Sequence, residues 1–469
     1  MNNSREKYKR LVKFGSAAVI LCIEIFLYWL IWTRHYNLIL EEPFWRRGNW
    51  LITALYGILL LFFLSTYGGL KIGYLRRWNL IYSQILSILL VNTISYLQLA
   101  LIDKSFHNPM MFFLLTLGEL LVIVAWVYLF QWIYSRLFPP RKLLVIYGEK
   151  PVFHIMQKIN SRDDKYIIAG AIHVEKGISN IMEALKQYEG AIIGDISSHD
   201  RNQILKKCYE KSIRTYTAPK ISDLLIRSSD ELNLFDTPLL LSRNIGPQLD
   251  QLIVKRSMDL FFGTIMLILG SPVFLILALL IKLEDGGSVF YRQKRLTLDG
   301  KIFDILKFRT MREDAEKDGV ARLSQKADHR ITRVGRLLRA TRFDELPQLI
   351  NILRGEMSLV GPRPERPEIA AEYEKEIPEF CFRLKMKAGL TGYAQVYGKY
   401  NTTPYDKLKL DLTYIRNYTV WLDFKLLLMT PKILFIKESS EGIEEGLTAA
   451  IKNKKDLKEE VYGKMQIFE

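Results

Sequence analysis

The stretch Met258-Asp-Leu-Phe-Phe-Gly-Thr-Ile-Met-Leu-Ile-Leu-Gly-Ser-Pro-Val-Phe-Leu-Ile-Leu-Ala-Leu-Leu-Ile-Lys-Leu283 decides the fold of this 469-residue chain. It is apolar and long enough for a membrane helix, and its centre contains Ser271 and Pro272. Proline removes a backbone donor and kinks a helix, and a nearby hydroxyl partly satisfies the freed carbonyl. Basic residues flank both ends, whereas a crossing helix has inside-type charge at one end. The pattern predicts a re-entrant helix over 258–283, kinked at Ser271 and Pro272, with an ordinary kinked span as the alternative.

Four apolar stretches precede this one, each near the roughly 20 residues that a helix needs to cross hydrocarbon. They are Leu11–Trp32, Trp50–Leu70, Leu80–Ile102 and Met110–Tyr134. Basic residues before the first, between the second and third, and after the fourth predict that these ends face the cytoplasm. Arg46 and Arg47 run against this rule. We expect a transmembrane bundle of four spans at residues 1–138, whose first helix remains as an anchor.

The pattern changes after Pro139-Pro140, where short β-rich runs alternate with amphipathic helices. The runs are Leu143–Tyr147, Ile167–Val174, Ala191–Ile193 and Ile213–Tyr216. This order is typical of βαβ units with a parallel sheet. The first run ends at Tyr147-Gly-Glu-Lys150, which has one glycine where a dinucleotide site needs several. Residues 139–247 are therefore predicted to form a Rossmann-like α/β module without a working dinucleotide site.

The formal net charge of +16 raises the question of nucleic acid. The basic residues cluster beside apolar stretches, where anionic lipid and positive-inside topology explain them. No nucleic-acid reader motif is present, so we expect a lipid bilayer as partner and no nucleic acid. The three cysteines have neither metal-ligand spacing nor a disulfide framework, which fits a reducing compartment for the soluble parts.

An adjacent acid pair, Asp344 and Glu345, lies in Arg339-Ala-Thr-Arg-Phe-Asp-Glu-Leu-Pro-Gln348. Two carboxylates in cationic surroundings beside a membrane indicate phosphate chemistry at a lipid interface. Side chains adjacent on a helix diverge by about 100°, which would give the two acids separate tasks. Helix-end acids that only cap or pair with arginines are the alternative.

Several motifs in a fixed order resemble one family. They are Lys255-Arg-Ser-Met-Asp-Leu260, the Ser271-Pro272 helix, Gln293-Lys-Arg295, Lys307-Phe-Arg-Thr-Met311, Asp344-Glu-Leu-Pro-Gln348, Met357-Ser-Leu-Val-Gly-Pro-Arg-Pro364 and Gly389-Leu-Thr-Gly392. Together they resemble the bacterial sugar transferases of the monotopic phosphoglycosyl transferase superfamily, and more narrowly the polyprenyl-phosphate hexose-1-phosphate transferases that begin exopolysaccharide or capsule assembly. Thr297 and Ala388 depart from the family pattern, at a glycine and a proline position respectively.

The resemblance implies transfer of hexose-1-phosphate, from UDP-glucose or UDP-galactose, to undecaprenyl phosphate with release of UMP. Asp344 matches the nucleophile of the family, which forms a phospho-aspartate intermediate. Glu345 matches the carboxylate associated with Mg²⁺, the expected cofactor. The sequence does not identify the hexose.

Further residues match family positions or lie well placed for phosphate. Arg339 and Arg363 match phosphate-binding positions, and a guanidinium suits two phosphate oxygens at once. Lys307 and Arg309 alternate across Phe308, which predicts projection from one strand face toward substrate phosphate, although an exposed strand edge would show the same alternation. Asp411 matches an acid that helps to organise the site.

These inferences predict a four-span bundle at 1–138, a Rossmann-like module at 139–247, a mainly α catalytic domain at 248–436 and a charged tail at 437–469. The catalytic domain is expected on the cytoplasmic face of the bacterial inner membrane. A homodimer and polysaccharide-assembly proteins are the expected partners besides the substrates. The alternatives are a non-catalytic assembly scaffold and a membrane-tethered nucleotide-sugar epimerase or dehydratase, which would need the missing glycines.

Overall fold

The computed structural model describes residues 3–148, 153–234, 236–242, 246–312, 330–398, 402–434 and 466–468. Contacts divide the chain into two compact units, Met1–Ala218 with Lys455–Glu469, and Pro219–Lys454. Residues 219–247, which the sequence analysis grouped with the α/β module, thus make their contacts in the second unit. The domain boundaries stay a prediction, and nearly all of the predicted tail lies outside the described residues.

The first unit begins with long apolar helices. They are α1 (Asn3–Ile31), which continues through a π-helical turn at Trp32–Tyr36 into α2 (Asn37–Ile39), then α3 (Arg46–Tyr67), α4 (Arg77–Ile102) and α5 (Met110–Leu137). Lys7–Ile39, α3, α4 and α5 are each long and apolar enough to cross a membrane. Apolar helices are therefore confirmed at the four predicted stretches, and the chain is a membrane protein. The number of crossings stays a prediction.

A parallel sheet follows the helices. Its strands are β1 (Arg141–Tyr147), β2 (Tyr166–His173), β3 (Gly190–Ile193), β4 (Arg214–Thr217) and β11 (Gln466–Phe468), in the order β11-β2-β1-β3-β4. Its helices are α6 (Phe153–Asn160), α7 (Ile178–Ala184) and α8 (Ser198–Glu210). The α/β region is confirmed, with β1 buried on both faces as a central parallel strand requires. The strand β11 was not predicted.

The second unit combines small sheets with many helices. Its strands are the antiparallel pairs β5 (Asp230–Leu234) with β6 (Thr237–Leu241) and β7 (Phe290–Leu296) with β8 (Ile302–Phe308), and the parallel pair β9 (Ser358–Val360) with β10 (Gly389–Thr391). Its helices are α9 (Ile221–Arg227), α10 (Leu249–Asp285), α11 (Arg333–Thr341), α12 (Gln348–Arg354), α13 (Pro367–Glu376), α14 (Tyr393–Tyr397), α15 (Pro404–Arg416) and α16 (Val420–Leu434). The core between them contains Ile305, Leu349, Leu359 and Tyr414.

Helix α10 contains the stretch 258–283 and runs for 37 residues through Pro272. Ser271 Oγ donates to the Ile268 carbonyl at 2.7 Å, which is the predicted use of the hydroxyl. Most of the helix is exposed, as an apolar surface meant for lipid would be. At about 1.5 Å per residue its length is roughly 55 Å, more than the roughly 30 Å of hydrocarbon in a bilayer.

Both ends of α10 contact the rest of the second unit. Near its start, Asp259 Oδ1 accepts from the Leu359 backbone N–H at 2.8 Å. At its end, Glu284 Oε1 accepts from the Arg333 backbone N–H at 2.7 Å, at the first turn of α11. A carboxylate at a helix N-terminus is favoured by the unpaired N–H groups there. The two contacts fix both ends of one apolar helix to one compact unit.

A buried ion pair also holds the start of α10. Lys255 Nζ contacts Asp423 Oδ2 of α16 at 2.5 Å and donates to the Val360 carbonyl at 2.7 Å. Tyr414 donates to the other Asp423 oxygen at 2.6 Å. Both charged side chains are almost fully buried. Removing one member would leave the other charge buried without a partner.

Replacing Lys255 with Met is expected to destabilise the second unit by about 3–5 kcal/mol, because the Asp423 carboxylate would remain buried without its cation. The double variant Lys255→Met, Asp423→Asn should recover part of this loss, because no unpaired charge remains. Thermal melting of the detergent-purified protein measures both, and Lys375→Met on the exposed face of α13 is the control. A Lys255→Met protein that melts with the wild type would contradict this account.

Candidate active site

The acid pair lies on a tight turn between two helices. Helix α11 ends at Thr341, and Arg342 takes the left-handed conformation, with φ 57°, that stops the helix. Phe343–Glu345 then form one 3₁₀ turn, which leads through Pro347 into α12. With three residues per turn, neighbouring side chains diverge by about 120°. Asp344 and Glu345 therefore point in different directions.

Glu345 is held between two cations. Its Oε1 accepts from Lys307 Nζ at 2.9 Å and from an Arg363 guanidinium nitrogen at 2.7 Å. The second Arg363 nitrogen lies 3.5 Å from Oε2. Burial opposes ionisation of this carboxyl, but Arg363 and Lys307 outweigh it and hold the pKa of Glu345 well below its usual range. Glu345 is a fixed negative charge, and it raises the pKa of Arg363 in return.

Asp344 differs from Glu345 in its hydrogen bonding and in the direction of its pKa shift. It has no hydrogen-bond partner among the residues that the structure describes. Burial raises the pKa of Asp344 above its usual value, against the effects of Lys307 and Arg339. Its carboxylate is close enough to these cations to feel their charge but is not tied to them, which leaves its lone pairs available for reaction.

Lys307 reaches Glu345 because its strand is fixed to α12. Asn351 Oδ1 accepts from the Leu306 backbone N–H at 2.9 Å, and its Nδ2 donates to the Asp304 carbonyl at 2.9 Å. Asn351 is fully buried and thus a rigid link between strand β8 and the helix that follows the acid pair. The strand register therefore fixes where Lys307 meets Glu345.

Arg363 is held through its backbone as well as through its side chain. Arg383 donates from Nη2 to the Arg363 carbonyl at 2.8 Å, and the same guanidinium pairs with Asp411 at 2.7 Å. Arg383 and Asp411 are both buried. Burial raises the pKa of Asp411 against the effect of Arg383. Asp411 thus contacts neither acid of the pair and acts on the site through Arg383.

The remaining predicted residues, Arg339 and Arg309, contact different parts of the second unit. Arg339 donates from Nε to Thr310 Oγ1 at 2.9 Å. Its positive charge favours the ionised form of Asp344 and so acts against the rise in the pKa of that carboxyl. Helix α11 packs so closely on this segment that a Cβ at Gly335 would lie 2.1 Å from the Thr310 carbonyl. Arg309 instead forms an ion pair with Asp285 at the end of α10. Lys307 and Arg309 thus have different partners, Glu345 and Asp285, and substrate binding by Arg309 stays a prediction.

Three charged residues around Arg363 were missed by sequence reasoning. Glu365 accepts from Lys407 and lies 3.6 Å from Arg383 Nη1. Glu365 directly follows the Pro-Arg-Pro segment, and Lys407 lies in the segment that contains Asp411, so proximity to those motifs was the available signal. For Arg383 the sequence offered no such signal, because this residue lies outside those motifs.

The carboxylates present are compatible with Mg²⁺. The described residues contain no group of three or more His, Cys, Asp or Glu side chains that could hold a metal ion. Mg²⁺, however, is commonly bound by one or two carboxylates together with substrate phosphates and water. The less engaged Oε2 of Glu345 can supply one such carboxylate oxygen.

Comparison with known proteins assigns the chain to a family. The model of the family described as bacterial sugar transferase matches residues 250–437, which include every site residue above. A protein of Caulobacter vibrioides is 40% identical over 224 residues, which is 46% of this chain and 84% of the relative. The chain therefore belongs to the bacterial sugar transferase family.

The relatives carry specific names. The Caulobacter protein is a UDP-glucose:undecaprenyl-phosphate glucose-1-phosphate transferase. An Escherichia coli protein of the same name is 40% identical over 202 residues, 42% of each chain. A UDP-N-acetylgalactosamine-undecaprenyl-phosphate N-acetylgalactosaminephosphotransferase of Aeromonas hydrophila is 35% identical over 247 residues, 51% of this chain and 57% of the relative. The chain thus spans about half the length of the last two.

The charged group around Glu365 predicts a pH dependence of stability. Burial disfavours the ionised carboxyl, but Lys407 and Arg383 outweigh it and lower the pKa of Glu365 from 4.5 to about 2. A carboxyl whose pKa is lower in the folded state stabilises the fold above its unfolded pKa and loses that contribution as pH falls. The contribution, roughly 3 kcal/mol, should therefore disappear between about pH 4.5 and pH 2.

Glu365→Gln is accordingly expected to lower the melting temperature at neutral pH and to flatten its decline below pH 4.5. Melting temperatures across this pH range measure the difference between variant and wild type. The exposed Glu368→Gln on α13 should follow the wild-type curve. Parallel curves for Glu365→Gln and the wild type, displaced by a constant amount, would show that Glu365 does not titrate as stated.

Proposed function

We propose that this protein transfers hexose-1-phosphate from a UDP-hexose to undecaprenyl phosphate, releasing UMP, at the cytoplasmic face of a bacterial inner membrane. The reaction would be the first membrane step of exopolysaccharide or capsule synthesis. The names of the Caulobacter and E. coli relatives support this reaction class. One observation carries the proposal: Glu345 is neutralised between Lys307 and Arg363, while the adjacent Asp344 is left without a hydrogen-bond partner among the described residues.

In the proposed first step, an Asp344 carboxylate oxygen attacks the phosphorus that carries the sugar. The bond from that phosphorus to the bridging oxygen breaks, and UMP leaves with the electron pair. The product is an acyl phosphate on Asp344 that bears the hexose. In the second step an oxygen of undecaprenyl phosphate attacks the same phosphorus, which restores the Asp344 carboxylate and forms the lipid diphosphate sugar.

The charges around the acid pair suit two anionic reactants. Lys307, Arg339 and Arg363 supply three positive charges against the two negative charges of Asp344 and Glu345. A carboxylate that attacks a diphosphate meets electrostatic repulsion, and fixed cations lower this barrier without reorganising. Mg²⁺, held by Glu345 with the substrate phosphates, would supply further charge neutralisation.

The raised pKa of Asp344 means that the protonation state of this carboxyl matters for the mechanism. Because the attacking species is the carboxylate, protonation of Asp344 would remove the nucleophile. Glu345, whose pKa is lowered, stays ionised under the same conditions. The pair therefore separates one reactive acid from one permanent negative charge that orients Lys307 and Arg363.

The attachment of α10 supports a re-entrant membrane helix. Its first part contacts β9 and its last residues contact α11, so both ends belong to the unit that contains the acid pair. A helix that crossed the bilayer completely would carry its two ends to opposite sides. We infer that α10 enters one leaflet and returns, and that it places the acid pair at the level of lipid phosphates.

The decisive assay measures UMP release by detergent-purified protein with Mg²⁺, undecaprenyl phosphate and a panel of UDP-glucose, UDP-galactose and UDP-N-acetylgalactosamine. Release that depends on one sugar nucleotide is expected. Asp344→Asn should reduce the rate by at least roughly 10³-fold, because the amide is not a nucleophile at phosphorus. Glu345→Gln should also reduce it strongly, because Lys307 and Arg363 lose their common partner.

Glu368→Gln is the matched control, since it removes a carboxylate from an exposed position of the same unit. It should retain the wild-type rate. Absence of release with every donor, from protein whose melting curve shows it to be folded, would contradict the proposed activity and favour a non-catalytic scaffold in polysaccharide assembly.

A further inference from the structure

The apolar bundle of the first unit buries two carboxyl groups. Glu24 of α1 and Glu119 of α5 are each 0% exposed. They interact electrostatically, so the two side chains lie near one another. Acidic side chains inside membrane helices are costly and mark functional sites by default. Where these helices cross the bilayer, both carboxyl groups lie in its hydrocarbon core, independently of the transferase activity.

The environment of Glu119 is built for a charged carboxylate. Tyr56 of α3 donates its hydroxyl to Oε1 at 2.8 Å, and Asn92 of α4 donates from Nδ2 to Oε2 at 2.6 Å. Asn92 Nδ2 also lies 2.8 Å from Thr116 Oγ1, which fixes the amide orientation. An ionised carboxylate only accepts hydrogen bonds, and each oxygen here has a donor.

Glu24 has the opposite environment. Neither of its carboxylate oxygens has a hydrogen-bond partner among the residues that the structure describes. It lies one turn from Tyr28, whose ring stacks on Tyr56 at a centroid distance of 3.9 Å, so it faces the same cluster. No ion pair of Glu24 or Glu119 with a lysine or arginine occurs in the described part of the chain. A second negative charge at this place would thus be unsolvated.

Two neighbouring carboxylates without a cation cannot both ionise in a medium of low dielectric constant. The missing positive charge must be a proton or a metal ion. A metal ion held by protein alone would need further ligands, and the described residues contain no group of three or more His, Cys, Asp or Glu side chains that could hold one. We propose that Glu24 and Glu119 form an intramembrane proton-binding site, in which Glu119 carries the negative charge and Glu24 carries the proton.

The other groups that face this site do not compete for the proton near neutral pH. Tyr28 on α1 and Tyr56 on α3 are phenols, whose ordinary pKa of about 10 keeps them protonated. Helix α4 contributes Asn92, which does not titrate, and α5 contributes Thr116 beside Glu119. Glu24 on α1 is therefore the carboxyl of the described bundle that is placed to exchange a proton with the neighbouring Glu119 carboxylate.

Infrared difference spectroscopy of the full chain in lipid nanodiscs tests the assignment. The wild-type protein should show the carbonyl stretch of a protonated carboxylic acid at neutral pH, and Glu24→Gln should lack that component. Glu119→Gln is the matched control and should retain it, because Glu24 stays protonated when its neighbour is uncharged. Absence of the band in the wild type, or its loss in Glu119→Gln alone, would overturn the proposal.

Thermal melting gives a second readout that does not depend on the spectra. Because the folded bundle keeps a proton that the unfolded chain releases, raising the pH from 6 to 9 should lower the wild-type melting temperature more than that of Glu24→Gln, by about 3–6 °C. Adding Na⁺, Mg²⁺ or Ca²⁺ at constant ionic strength should not change this difference. A melting temperature that rises with one of these metal ions in the wild type, but not in Glu24→Gln, would show a metal site instead.

Discussion

The contact of Glu345 with Lys307 and Arg363 is the interaction on which the rest of the catalytic unit depends. It joins three segments that are distant in sequence, namely strand β8, the turn after α11 and the Pro-Arg-Pro segment after β9. Each cation is held by other means as well. Asn351 fixes the strand that carries Lys307, and Arg383 with Asp411 fixes the backbone of Arg363. Because these supports are buried, the charges are fixed in the absence of a ligand, which is the condition that the proposed mechanism requires for electrostatic stabilisation without reorganisation.

Helix α10 is attached to the unit that contains this charge cluster. Its apolar surface is mostly exposed, while polar contacts at both ends attach it to β9, α16 and α11. The attachment at the far end includes Arg309 with Asp285, immediately after the strand that supplies Lys307. Residues that bind the helix and a residue that contacts the acid pair are thus neighbours in one hairpin. The position of α10 and the geometry of the acid pair are therefore coupled through this hairpin.

Much of this architecture could be predicted from the sequence, for physical reasons. Long apolar runs and alternating β-rich runs follow from periodicity, which is why the apolar helices and strands β1 to β4 fall where they were expected. The acid pair and the neighbouring Arg339 and Arg363 were found through motifs. Arg383 was not, because its partner Asp411 is 28 residues away and only the fold brings them together. For Arg309 the sequence did not reveal the ion pair with Asp285, because only the fold brings the end of α10 beside this residue, and its role in substrate binding stays a prediction.

The central claim is that Asp344 becomes covalently bonded to the sugar phosphate. Intact-protein mass spectrometry, on protein incubated with the preferred UDP-sugar and Mg²⁺ but without lipid acceptor, tests it most directly. The account predicts a mass increase equal to one hexose phosphate, located on Asp344 by peptide mapping and removed on addition of undecaprenyl phosphate. UMP release that proceeds only with lipid acceptor present, with no adduct under conditions where rapid quenching stops turnover, would contradict it and indicate direct transfer between the two substrates.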